Sequence, residues 1–393
     1  MISEQEALAR ILHETAPLPG RNVALAEALN CFLAEDVVAK TPLPNFDNSA
    51  MDGYAVVASD CHPGGRLKLT GEQPAGIDRH LRISSGETIR IFTGAPMPVG
   101  ADAVVMQEDV TPNGSEIIIN TDVEPGEFIR RRGSDLAAGQ KIAGKGERLR
   151  AVMLAALGAQ GFDQVAIGGP VTAAVLSTGD ELVSPGGDLE PGQIYDSNSL
   201  LLRSLLVSCG ADVRSVEHCP DREDALIAAL RRGSENKVLL ISGGVSVGQH
   251  DLVKSALGAL GAQIDLWRVA IKPGKPFLFG RAGECSVFGL PGNPVSSFVT
   301  FLKFVRPAIL RMMGASNEEL PLRRVTSRLT EAISGSGDRP HYIRGRLIDG
   351  QFTPIGRQES HALFGLSRSN ALLRVPPSAE LQAADLVEVE IWD

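Results

Sequence analysis

The chain has 393 residues, too many for one hydrophobic core, and this length predicts roughly two to four domains. The net charge of −9, from 38 basic and 47 acidic residues, argues against a general nucleic-acid-binding protein. Five scattered cysteines without a CxxC pair indicate a reducing compartment. The acidic amphipathic start is not typical of a signal peptide, and no apolar run has membrane-spanning length, so we expect a cytoplasmic protein.

The first third of the chain predicts helices followed by a small β domain. Residues 3–12 predict a helix because Ser3 and Glu6 have capping-box spacing and apolar residues recur on one face. A second helix is predicted at 23–34, and the prolines of TPLPNF (41–46) mark a boundary. Four short, partly alternating segments predict the strands of the β domain: RLKLT (66–70), TIRIF (88–92), DAVVM (102–106) and EIIIN (116–120).

The remaining two thirds predict an α/β domain followed by a second β domain. RLRAVMLAALG (148–158) is typical of a short helix stopped by Gly158. From 171 to 313 strands alternate with helices, which predicts a mostly parallel sheet with helices on both faces, a three-layer arrangement. The expected strands are VTAAVLS (171–177), DVRSVEH (212–218), VLLIS (238–242), PFLFG (276–280) and SVFGL (286–290). Beyond Pro321, three segments predict the C-terminal β domain: YIRGRLI (342–348), ALLRVP (371–376) and LVEVEIW (386–392).

Three glycine-rich polar loops follow strands of the α/β domain. They are STGDEL (177–182), SGGVSVGQHD (242–251) and GLPGNPVSS (289–297). Because ligands bind at the carboxyl ends of the strands in open parallel sheets, we expect these loops to form one site. Glycine amides approach anions closely, so the second loop predicts a phosphate cradle. Its cradle residues are Ser242, Gly243, Gly244, Ser246 and Gly248.

Acidic and basic side chains lie together in this predicted site. Glu181, Asp221 and Asp251 supply carboxylates, and Lys272 and Lys275 flank a Pro–Gly turn. Carboxylates beside phosphates commonly hold Mg²⁺, whereas lysines bind oxyanions directly. The pattern predicts metal-assisted phosphoryl or nucleotidyl chemistry, and the alternative for each carboxylate is a helix cap or a solvated rim.

Seven motifs, in order over about 250 residues, carry a resemblance to a known family. They are PLPNFDNSAMDGYAV (42–56), RIFTGAPMPVGADAVVMQED (90–109), RRGSD (131–135), LSTGDEL (176–182), ISGGVSVG (241–248), KPGKP (272–276) and GLPGNPVSS (289–297). The chain resembles the molybdopterin molybdenumtransferases, the MoeA family that includes the gephyrin E domain.

The resemblance implies the last step of molybdenum cofactor assembly. Molybdenum from molybdate is inserted into adenylyl-molybdopterin, the phosphoanhydride is cleaved with help from Mg²⁺ or a similar divalent cation, and AMP is released. The resemblance also implies a homodimer, with the molybdopterin adenylyltransferase and downstream cofactor-handling proteins as further partners. It implies four domains per subunit: 1–45 with 132–170, the β insertion 46–131, the α/β molybdopterin-binding domain 171–320, and the C-terminal β barrel 321–393.

The resemblance also assigns roles to individual residues. Asp52, Thr93 and Asp135 reach the cleft, by the family's geometry from the partner subunit. Glu181, Asp221 and Asp251 form the acidic part, in which Asp251 and Glu181 are the expected metal ligands. Lys272, Lys275 and Ser296 favour molybdate, and Pro291 and Pro294 shape the loop. Arg344 and Ser360 are further expected substrate contacts from the C-terminal domain.

Two other functions remain open from the sequence. A molybdopterin adenylyltransferase shares the α/β domain, and a non-catalytic molybdopterin-binding or scaffold protein would keep the fold without the chemistry. The flanking domains argue against the first, and the retained Glu181, Asp251, Lys272 and Lys275 argue against the second. His361 and Phe364 depart from the small residues that the family tends to have after the serine equivalent to Ser360.

Overall fold

A computed structural model describes residues 1–244, 252–335 and 337–392. The chain folds into two compact units. The larger consists of Met1–Glu35, Gly144–Ala155 and Phe162–Asp393, and the smaller of Asp36–Ala143 and Ala156–Gly161. The finer division into four domains stays a prediction.

The larger unit is organised around a seven-stranded sheet. In spatial order its strands are Ile2–Ser3, Gln263–Ala270, Pro276–Ala282, Cys285–Leu290, Val238–Ser242, Thr172–Thr178 and Asp212–Cys219. The last four are mutually parallel, and Pro276–Ala282 runs antiparallel to both of its neighbours. The predicted α/β architecture with a mostly parallel sheet is therefore confirmed.

Both faces of this sheet are covered by helices, because its central strands are apolar on both sides. Ala173 and Val175 pack into one core cluster, whereas Ala174 and Leu176 pack into the other. This alternation is the period-two pattern of a strand buried between two layers. The helices along the chain are Glu4–Glu14, Ala151–Ala159, Ser197–Ser208, Glu223–Gly233, Leu252–Ala259, Pro294–Thr300, Arg306–Met312 and Leu363–Ser367.

The C-terminal part of the larger unit contains a closed barrel. Its strands are Arg323–Leu329, Gln351–Pro354, His341–Ile348, Ala371–Val375 and Leu386–Ile391. Short strand pairs complete the unit: Arg21–Ala24 with Gln164–Ile167, Leu182–Val183 with Ile194–Tyr195, and Ile333–Ser334 with Glu380–Leu381. The predicted C-terminal β barrel is confirmed.

The smaller unit contains the predicted β insertion. Its six-stranded sheet has the order Ala103–Met106, Gly53–Val56, Glu87–Ile91, Arg66–Gln73, Glu116–Ile119 and Val110–Asn113. Two further pairs are Val37–Val38 with Lys141–Ala143 and Asn48–Ser49 with Ile129–Arg130. All four strands predicted from local alternation are present.

Two local predictions are wrong. Residues 23–34 form no helix, because Arg21–Ala24 pairs with the distant strand Gln164–Ile167 and is followed by a single 3₁₀ turn. Long-range strand pairing thus overrides local helix propensity. Gly158 lies inside the helix Ala151–Ala159, and the left-handed residue that follows is Gly161, with φ of 74°.

The helical segment that begins at Pro294 is interrupted. A π-helical turn, Phe301–Val305, separates Pro294–Thr300 from Arg306–Met312. Pro307 has no N–H for the regular helical ladder, and its ring crowds the preceding turn. None of the helices in the described ranges has the length and hydrophobicity that crossing a bilayer requires.

Candidate active site

A cavity of about 680 Å³ lies at the carboxyl ends of the strands Thr172–Thr178, Val238–Ser242 and Cys285–Leu290. This is the sheet edge predicted from the three polar loops. Seven predicted site residues line the cavity: Glu181, Asp221, Ser242, Gly243, Gly244, Pro291 and Pro294. The structure therefore brings together residues from all three loops.

The floor of the cavity is built around the start of the helix Ser197–Ser208. Asp196 caps this helix, and its carboxylate accepts hydrogen bonds from Ser199 N and Ser199 Oγ at 3.0 and 2.6 Å. Asn198 Nδ2 donates to Ser242 Oγ at 3.0 Å and to Gly292 O at 2.6 Å. One buried amide thus joins the second and third loops across the cavity floor.

The glycines of the second loop are required by close approach. Gly243 and Gly244 have φ of 90° and 64°, in the left-handed region that glycine adopts without strain. A Cβ on Gly243 would lie 2.6 Å from Thr178 O, and a Cβ on Gly244 would lie 2.6 Å from Val253 Cγ2. The sequence predicted these glycines for anion approach, and the structure adds a packing reason.

Two carboxylates, Glu181 and Asp221, line the cavity, and Asp180 lies beside Asp221. Asp221 N donates to Asp180 Oδ1 at 3.0 Å, and His218 Nε2 donates to Gly179 O at 2.9 Å beside them. Partial desolvation, followed by the negative charges of Asp180 and Glu181, raises the pKa of Asp221 above its usual range. The rim is therefore a place where added negative charge is unfavourable and positive charge is favourable.

The carboxylates do not by themselves form a complete metal cage. Within the described ranges, no three His, Cys, Asp or Glu side chains are grouped closely enough to hold a metal ion. Mg²⁺ commonly binds through one or two carboxylates together with substrate phosphates, and Glu181 and Asp221 fit that mode. The role of Glu181 as a metal ligand stays a prediction.

The turn that carries the two lysines is held between the sheet and the barrel. Lys272 N donates to Pro340 O at 2.9 Å, and Tyr342 N donates to Lys272 O at 2.7 Å. Lys275 is exposed, and the next residue, Pro276, lines the cavity. The predicted lysines thus lie on a turn that leads directly to the cavity wall.

Arg344 is enclosed, with 1% of its surface exposed. Its Nη2 donates to the backbone oxygens of Arg357 and Glu359, whereas Nε and Nη1 have no hydrogen-bond partner among the described residues. Burial lowers the pKa of the guanidinium. A contact between Arg344 and a substrate oxyanion stays a prediction.

The remaining predicted residues of the larger unit surround the third loop. Ser360 O accepts a hydrogen bond from Val295 N at 3.1 Å, and the next residue, His361, lines the cavity. Ser296 is buried and its carbonyl accepts from Thr300 Oγ1 at 2.8 Å. Lys272, Lys275, Ser296, Arg344 and Ser360 are outside the cavity lining.

The smaller unit holds the other predicted site residues. Thr93 donates its N–H and its hydroxyl to Asp52 Oδ1 at 2.7 and 2.9 Å. These bonds, the backbone one first, hold the pKa of Asp52 below its usual range. Asp135 is exposed, and its N–H donates to Leu43 O at 3.0 Å. Contribution of these residues from a partner subunit stays a prediction.

Three predicted site residues of the second loop, together with the neighbouring His250, lie outside the described residues. They are Ser246, Gly248, His250 and Asp251. The proposed phosphate contacts of the first two and the metal role of Asp251 therefore stay predictions.

Two residues of the cavity were missed from the sequence. Thr178 Oγ1 and Asn198 Oδ1 are buried polar atoms without a hydrogen-bond partner among the described residues. Thr178 ends a strand within STGDEL, and Asn198 lies in the first turn of a helix that begins at the cavity. Both residues lie where a strand ends or a helix begins at the carboxyl edge of the sheet, and this position could have indicated them from the sequence.

Comparison with known proteins identifies the class of this protein first. Residues 174–311, which supply most of the cavity lining, match a family model described as "Probable molybdopterin binding domain". Residues 2–161 match "MoeA N-terminal region (domain I and II)", and residues 326–392 match "MoeA C-terminal region (domain IV)". The chain is therefore a molybdopterin-binding-domain protein with a flanking region on each side.

Full-length relatives then identify the family. The chain is 36% identical to a molybdopterin molybdenumtransferase of Haemophilus influenzae over 99% of this chain and 98% of that protein. It is 37% identical to one of Nostoc over 88% of this chain and 82% of that protein. A crystal structure of a MoeA protein from Pyrococcus horikoshii covers 100% of both chains at 29% identity with a TM-score of 0.86. The chain belongs to the MoeA family.

Proposed function

We propose that this protein is a molybdopterin molybdenumtransferase. It transfers molybdenum from molybdate to adenylyl-molybdopterin and releases AMP as the phosphoanhydride is cleaved. Support comes from relatives of that name along the whole chain and from a cavity of suitable size at the expected sheet edge. The protein is proposed to act in the cytoplasm.

The observation that carries the proposal is the division of the site into regions of different charge. Glu181 and Asp221 line the cavity, the Gly243–Gly244 backbone lies between them and the third loop, and Lys272 and Lys275 lie on an adjoining turn. The phosphates of a nucleotide-like substrate suit the polar cavity with its glycine backbone amides. A second substrate that is a small oxyanion suits the lysine side chains of the turn. The arrangement suits two anionic substrates that must react together.

The residues of the chain act by binding and orientation. The glycine backbone of the second loop orients the phosphates, and Lys272 and Lys275 attract molybdate and hold it at the turn. Arg344 adds two guanidinium nitrogens, Nε and Nη1, that have no hydrogen-bond partner among the described residues and would bind an oxyanion once they become accessible. Such positioning and charge neutralisation account for most catalysis of phosphoryl transfer.

The finer parts of the proposal are a divalent cation and a dimer. Glu181 and Asp221 would hold Mg²⁺ together with the substrate phosphates, where it would neutralise the charge of the leaving AMP. Asp52, Thr93 and Asp135 are proposed to complete the site of the second subunit in a homodimer. The adenylyltransferase that makes the substrate is a proposed partner.

The test is a reaction with purified components. Adenylyl-molybdopterin is incubated with the protein and with molybdate, Mg²⁺, both or neither, and AMP and molybdenum-loaded pterin are quantified. We expect AMP release that needs both additions, with one AMP per molybdenum inserted. Tight substrate binding without AMP release in any mixture would point to a binding or scaffold role.

The rival enzyme makes a different prediction in the same experiment. A molybdopterin adenylyltransferase would form adenylyl-molybdopterin from molybdopterin and ATP. We expect no such product here, because the regions on both sides of the central domain match MoeA family models. Formation of the adenylylated product from ATP would replace the proposed function.

A further inference from the structure

The first residues of the chain contact the strand that leads into the lysine turn. The strand Ile2–Ser3 lies at the edge of the large sheet and pairs in parallel with Gln263–Ala270. Ile2 is opposite Val269 and Ser3 is opposite Ala270, the two residues that end that strand. The strand pairing therefore fixes the backbone two residues before Lys272.

The next residue, Glu4, reaches from its helix to the barrel. Its carboxylate is buried, with Oε2 accepting from the Tyr342 hydroxyl at 2.8 Å and Oε1 accepting from Arg374 Nε. Burial, together with the negative charge of Glu4, raises the pKa of Tyr342, so the phenol remains a donor. Hydrogen bonds to an ionised acceptor are roughly twice as strong as neutral ones.

Tyr342 connects this contact to Lys272. Its backbone N–H donates to Lys272 O at 2.7 Å, while Lys272 N donates to Pro340 O at 2.9 Å. Lys272 and His341 also form a parallel β-bridge. The backbone of Lys272 is thus held by the barrel strand whose side chain binds Glu4.

We infer that Glu4 and Tyr342 are positioning residues for the lysine turn. Strand Ile2–Ser3 holds the turn where it begins, and the Glu4–Tyr342 pair holds the barrel strand that binds its first lysine. Neither residue lines the cavity of the candidate active site. The inference rests on the proposed function, because Lys272 and Lys275 are the proposed molybdate-binding groups. Removal of one hydrogen-bond partner from a buried carboxylate leaves its charge uncompensated and is strongly unfavourable. The Glu4 contacts therefore hold the barrel strand in one position.

A purely stabilising role predicts a different result. Loss of a stabilising contact lowers the melting temperature and leaves the substrate requirements of the remaining folded enzyme unchanged. Loss of a positioning contact displaces the lysines, and displacements of about 1 Å in a site can cost about 100-fold in rate or affinity. The molybdate concentration for half-maximal AMP release therefore distinguishes the two roles.

The experiment compares Tyr342→Phe and Glu4→Gln with the wild-type full-length protein. The first removes one hydroxyl and keeps the ring that packs under Lys303, whose Nζ is 5.1 Å from the ring centre. We expect the half-saturating molybdate concentration to rise about tenfold in both, with kcat at saturating molybdate within about twofold of wild type. The KM for adenylyl-molybdopterin should stay unchanged.

A matched control is Glu319→Gln. Glu319 forms a partly buried ion pair with Arg148 Nε at 3.6 Å in the same unit and has no contact with the lysine turn among those described. It should lower the melting temperature and keep the wild-type molybdate requirement. If Tyr342→Phe and Glu4→Gln behave like this control, the inference is wrong. Arg374→Lys serves if either variant fails to fold, because it keeps a positive charge beside the buried Glu4 carboxylate and changes only the hydrogen-bond geometry.

Direct binding of molybdate, measured by calorimetry, separates this inference from the proposed function. Wild-type protein that binds molybdate, with weaker binding in the variants, supports the inference even if AMP is never released. Wild-type protein that releases AMP and variants with wild-type molybdate affinity leave the proposed function intact and overturn the inference. Wild-type protein that binds no molybdate overturns it as well.

Discussion

Thr93 donates two hydrogen bonds to a single carboxylate oxygen of Asp52, from its N–H at 2.7 Å and from its hydroxyl at 2.9 Å. The two residues are 41 positions apart in the sequence, and both were assigned to the site by family resemblance. Their pairing orients the Asp52 carboxylate and lowers its pKa. Asp52 therefore stays ionised well below neutral pH.

Thr93→Val tests whether this orientation matters. The substitution removes the hydroxyl bond and keeps the backbone bond, so the pKa of Asp52 rises only towards its ordinary value and the charge at pH 7 is unchanged. We expect kcat to fall about tenfold, with an unchanged melting temperature because the pair is exposed. Steady-state AMP release measures the effect, and Thr93→Ser should restore it. Full activity of Thr93→Val would show that the hydroxyl is dispensable.

The residues found from the sequence and those missed differ in a physical way. Glu181 and Gly243 belong to loops that follow strands, and strand–loop–helix alternation alone predicts that such loops share an edge. Asn198 was missed because its role depends on a contact with Gly292, 94 positions away, which no local pattern encodes. The edge strand Ile2–Ser3 was missed because two residues carry no periodicity.

The enclosure of Arg344 could not be predicted from the sequence for a related reason. The guanidinium is covered by backbone oxygens of Arg357 and Glu359, and a chain segment without regular structure leaves no pattern to read. The failed helix at 23–34 shows the same limit, because its true partner, Gln164–Ile167, lies far away in the sequence. Contacts with segments that are not adjacent in the sequence decide both outcomes.

Asp221→Asn should stabilise the fold and impair catalysis. The pKa of Asp221 is raised in the folded protein, so its ionised form is disfavoured there. Ionised Asp221 therefore lowers the free energy of unfolding. This effect is absent below the ordinary carboxyl pKa, where Asp221 is protonated in both states, and it is complete once the pH has risen through the raised pKa. We expect a small rise in melting temperature at pH 7 that disappears at low pH, and loss of most AMP release.

The same variant tests the divalent cation. Mg²⁺ should raise the melting temperature of wild-type protein in the presence of AMP, and Asp221→Asn should abolish that rise. The control is Asp224→Asn, since Asp224 is nearby, pairs with Arg222 at 3.2 Å, and has a lowered pKa. It should keep the Mg²⁺ response. An unchanged response in Asp221→Asn would remove this residue from the proposed cation site.

Replacing either of two glycines in neighbouring segments by alanine should change the free energy of unfolding, but in opposite directions. Gly244→Ala places a methyl group 2.6 Å from Val253 Cγ2 at a φ of 64°, which should lower the free energy of unfolding by about 2 kcal/mol and block the cavity. Gly258→Ala meets nothing within 4 Å at an exposed position of the helix Leu252–Ala259 and should raise that free energy by about 0.5–1 kcal/mol. Urea denaturation measures both, and equal effects would contradict the packing reason for Gly244.

Thr178→Val separates the stability of the cavity floor from its function. Thr178 Oγ1 is buried without a partner in the described part of the chain, so the hydroxyl is desolvated with no compensating bond. Valine has nearly the same shape, and it should raise the free energy of unfolding by about 1 kcal/mol. A substrate that binds this hydroxyl should then bind about tenfold more weakly, as judged by calorimetry with AMP and with molybdopterin.

Thr15→Val is the matched control, because Thr15 Oγ1 is also buried but donates to Ile11 O at 2.9 Å. The control substitution should therefore destabilise the protein and leave ligand affinity unchanged. Destabilisation by Thr178→Val would mean that its hydroxyl has a partner after all, and a stable variant with wild-type affinity for both ligands would exclude a binding role.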